Sequence, residues 1–125
     1  MTEYIDLTMN WENATQGVQF TCVKAGAADN GCDIATADSD DIIGILQNKP
    51  KLNQAAQVRV YGPSKLMASA AIARKAYITA TTLGKGVTCT TTSSHAVAIA
   101  IFEAATADTQ LFKVWALGPG FKFVT

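Results

Sequence analysis

The chain has 125 residues, of which 49% are hydrophobic and 16% charged, with ten basic residues balanced by ten acidic ones. That length holds one domain, able to bury roughly two-thirds of the surface its unfolded chain exposes, and the apolar fraction excludes a disordered chain. Lys and Arg are scattered and cancelled, which excludes the clustered positive surface that phosphate binding needs, so no nucleic-acid partner is expected.

The opening residues, Met1 to Asp6, have neither the basic start nor the apolar run of a signal peptide. The longest apolar run, Ala96 to Phe102, is far too short to cross a bilayer. The sequence reads as a soluble, intracellular product with no membrane partner. Tyr4, Ile5, Leu7, Met9 and Trp11 then alternate in part, as a strand of the domain or as an N-terminal arm over about residues 1–16 that docks on a neighbour.

Phe20 to Val23 reads as a strand, Asp29-Asn30-Gly31 as a tight turn that tolerates positive φ, and Gly31 to Ile34 as the returning strand. Ile43-Gly44-Ile45 opens a β-branched run, and a polar loop leads to Val58-Arg59-Val60-Tyr61, whose period-two alternation marks a half-buried strand. Tyr61-Gly62-Pro63-Ser64 reads as the separator of two halves, about 17–62 and 66–118. Lys65 to Ala76 is Ala-rich, and Leu66, Ala70, Ala73 and Tyr77 share a helical face. The matching stretch Met9 to Gln19 is poor helix material, so an extended path is favoured for both, with at most one short helix.

The second half repeats the first. Val97-Ala98-Ile99 and Phe112-Lys113-Val114-Trp115 stand 54 positions after Ile43-Gly44-Ile45 and Val58 to Tyr61, Tyr77 to Ala80 stands 57 after Phe20 to Val23, and Gly86 to Cys89 stands 55 after Gly31 to Ile34. The expected fold is therefore all-β, a small compact barrel or sandwich of two pseudo-repeated halves. Closing the halves on each other hides edges that either alone would expose. A tail over about 118–125 follows, set off by Gly118-Pro119-Gly120 and carrying Phe121 and Phe123.

No catalytic constellation stands out. Ser93 and His95 share a face if extended, with Cys89 nearby, but no nucleophile elbow accompanies them. Asp33, Asp38, Asp40 and Asp41 lack the spacing and the glycine of a calcium loop and read as a solvated turn. Cys22, Cys32 and Cys89 are odd in number and lack zinc-ligand spacing, so reduced, buried thiols are expected. No cofactor, metal or enzymatic activity follows.

The charged fraction lies below the roughly 25% of ordinary soluble domains. It describes either a plainly neutral surface or one that lies against other protein, where charge is depleted. If Val58, Val60, Phe112 and Val114 face the core, then Arg59, Tyr61, Lys113 and Trp115 show one cation and one aromatic per half, a pair that can stack. Tyr4, Trp11, Arg59, Tyr61, Lys113, Trp115, Phe121 and Phe123 are the candidate interface residues.

Phe20 to Val23, "GCDIATADSDDIIGIL", "QVRVYG", "AAIARKAYITATTLGKGVT", "AVAIAIFEAA" and "LFKVW" together resemble the capsid decoration, or cement, proteins of tailed double-stranded DNA phages. The resemblance spans about Gly17 to Trp115. It departs from the family at Arg74-Lys75, where a Gly turn is commoner. It implies a non-enzymatic virion protein, made in the host cytoplasm, that binds the outer capsid surface as a homotrimer and clamps neighbouring copies of the major capsid protein. Another phage component (tail, neck or spike) is the alternative, and a small-molecule or metal-binding barrel stands behind it.

Overall fold

The computed structural model describes residues 4–37, 41–90 and 96–118. Its strands are β1 (Ile5–Trp11), β2 (Cys22–Ala25), β3 (Gly31–Ile34), β4 (Ile42–Leu46), β5 (Ala55–Met67), β6 (Tyr77–Ala80), β7 (Gly86–Thr88), β8 (Ala98–Ile99) and β9 (Leu111–Ala116). The expected all-β fold is the one found. Among the described residues the only helical turn is the 3-10 turn Thr82–Gly84, and Lys65–Met67 belongs to β5, so the Ala-rich stretch starts as strand.

The strands follow the order β1-β3-β2-β4-β5-β9-β8-β6-β7, and β1 also pairs with β5. The first five strands thus close into a barrel. The second half mirrors it: β5 pairs with β9, β9 with β8, β8 with β6 and β6 with β7. Gly86 of β7 then returns to Ala68, just past β5, through one parallel bridge. In the first barrel the same closure is the parallel pairing of Asn10 and Trp11 with Gly31 and Cys32.

Equivalent residues make equivalent bonds. Trp11 N–H donates to Gln54 O at 3.0 Å and its carbonyl accepts from Asn53 at 2.8 Å, while Ala68 does the same with Gln110 at 2.9 Å and Thr109 at 2.7 Å. Asn53 and Thr109 both hold a left-handed φ, 64° and 63°, as do Phe20 and Lys75, 68° and 77°. Lys75 takes this turn conformation without being a glycine.

This register corrects two spacings. Cys22 and Val23 face Ile45 and Gly44 as Tyr77 and Ile78 face Ile99 and Ala98, so β2 and β6 stand 55 apart rather than 57. Ile45 faces Arg59 whereas Ile99 faces Trp115, so β5 and β9 stand 56 apart rather than 54. An error of two residues keeps every side chain on its face of a strand, which is why the assignment of inward and outward residues survives it.

The supposed separator Tyr61 to Ser64 is the middle of one 13-residue strand. β5 pairs with β1 through residues 55–61 and with β9 through 62–67, so one strand serves both barrels. Gly62 takes φ 108° at the handover, a value that costs an L side chain but not glycine. Its counterpart Gly118 takes φ 87° at the end of the second barrel.

Each barrel has its own core. Trp11, Val23, Cys32, Ile43, Leu46, Ala56 and Val58 fill the first; Leu66, Ile72, Ile78, Val97, Phe112 and Val114 fill the second. β4 is the wall between them: Ile43 and Leu46 belong to the first core, Ile42 and Ile45 to the second, and all five of its residues are buried. Its unbroken apolar run follows from burial on both faces.

Trp11, proposed as an interface residue, is a core residue, 1% exposed, with its Nε1 donating to Thr15 O at 2.9 Å. β1 is held by β5 along its length and by β3 only at Asn10 and Trp11, so its Trp11 end closes the core while Ile5 and Leu7 stay exposed. The segment Ile5–Trp11 is thus a strand of its own barrel.

Candidate docking surface

Alternation along β5 and β9 builds the surface. Val58, Val60, Phe112 and Val114 are buried as expected, which leaves Arg59, Tyr61, Lys113 and Trp115 on the outer face. Because β5 continues from one barrel into the other, these residues form one stripe across the seam.

At one end, the Arg59 guanidinium grips Asp6 of β1 with Nε to Oδ1 at 2.9 Å and Nη2 to Oδ2 at 3.2 Å, while Nη1 donates to Pro63 O at 2.9 Å. Its Cζ lies 3.8 Å from the centroid of the Tyr4 ring. Both partners of the ion pair are 17% exposed, dry enough for a bidentate pair to hold its geometry. Next along the stripe, the rings of Tyr61 and Trp115 meet edge to face, with centroids 5.5 Å apart and planes at 88°. Phe102 follows 6.4 Å beyond Trp115, and Lys113 Nζ sits 4.5 Å above the Phe102 ring.

The sequence expected each cation to stack on the aromatic of its own strand. The structure exchanges the partners: Arg59 takes Tyr4, Lys113 takes Phe102, and Tyr61 and Trp115 take each other. The reason is geometric. Residues i and i+2 share a face but stand side by side along the strand, whereas residues on adjacent strands are closer. Sequence reasoning missed Asp6, Phe102 and Glu103, whose Oε1 accepts from the Lys113 N–H at 2.7 Å. The signal for Phe102 was an aromatic ending the apolar run that begins at Ala96.

The resulting ridge is apolar and open. Tyr4, Tyr61 and Phe102 are each more than 40% exposed. Fixed aromatics of this kind lose little entropy on contact, the property that makes Tyr and Trp the anchors of protein interfaces.

Phe121, Phe123, Ser93, His95, Asp38 and Asp40 lie outside the described residues. Asp33 Oδ1 accepts from Asn13 Nδ2 at 2.8 Å and from the Ile34 N–H at 2.7 Å, a bracing role. Among the described residues no group of three or more His, Cys, Asp or Glu could hold a metal ion. Cys22 and Cys32 are buried free thiols, and Cys89 is buried as well. Burial pushes Cys22 up to about 12, and burial with the neighbouring charges of Glu12 and Asp33 pushes Cys32 up to about 11, so these two stay protonated and unreactive.

No known family and no curated protein matches the chain. Among solved structures it is similar to the N base of the head fiber gp8.5 of bacteriophage phi29, with a TM-score of 0.64 and 16% identity over 90% of this chain and 92% of that one. At that identity the likeness is one of fold, and it runs end to end in both chains.

Proposed function

We propose that the protein is a structural component of a tailed-phage head, a decoration protein that sits on the outer capsid surface as a homotrimer and holds neighbouring major capsid subunits through the Tyr61–Trp115 ridge. The observation that carries this reading is the end-to-end fold likeness to the base of a phage head fiber, reached independently of the sequence resemblance to decoration proteins. The ridge supports it. A protein repeated over a shell needs only a modest rigid contact, because many simultaneous contacts multiply a weak one. On this reading the protein is not an enzyme; it is made in the host cytoplasm and ends on the virion.

The test is co-sedimentation with heads of the source phage stripped of accessory proteins, counted against the major capsid protein. Saturation at many copies per head is expected, with affinity lowered at least about tenfold by Trp115→Ala or Tyr61→Ala, as for anchor residues of an interface. Absence of binding would sink the proposal.

The same likeness favours a second reading, in which the barrels are the base of a longer appendage. Labelling on intact particles separates the two: a decoration protein marks the whole shell, an appendage base marks sparse points, one vertex or the tail.

A further inference from the structure

The repeat has a remainder. Gly62 and Gly118 are equivalent, both with positive φ and both followed by proline, Gly62 at the handover inside β5 and Gly118 two residues past β9. After Gly62-Pro63 the chain becomes the first strand of the next barrel. After Gly118-Pro119 the sequence runs Gly120-Phe121-Lys122-Phe123-Val124-Thr125, again alternating with period two. A strand-like segment thus follows the second barrel as β5 follows the first.

The end of the second barrel meets a strand that is already paired on both sides. Ala116 pairs with Gly62, and a Cβ at Gly118 would touch Val60 O at 3.2 Å, so Gly118 lies beside β5 next to Arg59 and Val58. There β5 already has β1 on one side and β4 on the other.

An open edge exists on β1. β3 meets β1 only at Asn10 and Trp11, so from Ile5 to Met9 no strand among the described residues lies on the side away from β5. Asn10 N–H donates to Asn30 O on the β3 side, and Trp11 N–H to Gln54 O on the β5 side. Alternation then turns the Thr8 N–H to the open edge. Ile5 and Leu7, 57% and 43% exposed, flank it. Seven extended residues reach roughly 23 Å, enough to leave one body and cover five residues of a strand on another.

From these observations we infer that residues 119–125 of one copy add as a strand to the open edge of β1, Ile5–Met9, in a second copy, with Phe121 and Phe123 covering Ile5 and Leu7. Backbone pairing supplies the affinity and the two phenylalanines the register, the mode of β-strand addition. The inference rests on the reading of the protein as an assembling structural subunit. It is tested on free protein, so that its failure is distinguishable from a failure of head binding.

The experiment compares the full chain with a version ending at Gly118 and with Thr8→Pro, by analytical ultracentrifugation and amide hydrogen exchange. Proline at Thr8 removes an outward N–H and leaves the β1–β5 ladder its donors. The full chain is expected to associate, both variants to sediment as monomers with unchanged circular dichroism, and exchange at Thr8 to quicken at least about tenfold on truncation. A peptide of residues 118–125 added to the truncated protein restores protection at Thr8. A monomeric full chain, or association that survives in both variants, overturns the proposal.

Discussion

Alanine at Gly44 tests the double wall. A Cβ there would lie 2.2 Å from the Arg59 carbonyl oxygen, 2.9 Å from its carbon and 3.1 Å from Val58 Cγ1. The first two atoms are backbone, so no side chain can swing aside, and β4 must move away from β5. The equivalent residue of the second barrel is Ala98, which shows that the crowding belongs to this crossing and not to the strand position in general. Overpacking of a core costs about 1–3 kcal/mol. Because β4 carries side chains of both cores, the upper part of that range is expected, about 2–3 kcal/mol, which lowers the melting midpoint by about 6–12 °C for a domain of this size. Urea unfolding followed by Trp11 fluorescence in a Trp115→Phe background, with thermal melts alongside, measures it. A midpoint within about 1 °C of the parent would refute the account of β4 as a wall fixed on both faces.

Two further outcomes are expected. A double-mutant cycle with Asp6→Ala and Arg59→Ala gives a coupling of about 1–2 kcal/mol, above that of an exposed pair because the forked contact is largely screened from water; chemical denaturation checks it, and a coupling under about 0.3 kcal/mol would count the pair as surface decoration. The raised Cys22 thiol makes stability depend on alkaline pH. The unfolded thiol ionises near 9.0 and the folded one near 12, so its contribution is whole below pH 9 and is lost as pH climbs from 9 toward 12. Urea midpoints measured between pH 8 and 10 should fall less steeply for Cys22→Ala than for the parent, and parallel slopes would contradict the assignment.

What the sequence disclosed and what it concealed have separate physical causes. The alternating strands were legible because a strand that buries one face must alternate, and Val58, Val60, Phe112 and Val114 do. β4 was legible as a strand, though its role as a shared wall was not, since an apolar run does not say which core each side chain enters. Trp11 misled because the exposed Ile5 and Leu7 precede it on the same strand, and only the closing contact with β3 decides which end is inside. The opening strand of the second barrel, residues 62–67, was missed because Gly62-Pro63 looks like punctuation. Here glycine supplies one unusual φ, and the strand goes on. In the ridge, the residues named from alternation were brought together, while their partners Asp6 and Phe102 come from β1 and from the segment after β8, contacts that no local spacing encodes.

Strand β5 has a mechanical consequence. Two barrels that met only through side chains would separate once a pull exceeded the strength of that interface. Here a pull drawing one barrel from the other runs along a covalent backbone, and yielding requires β5 to slide out of β1 and β4 on one side or out of β9 on the other. The joint between the two halves is thus as strong as the halves themselves, and under load the molecule fails by losing a barrel, never by parting at its middle.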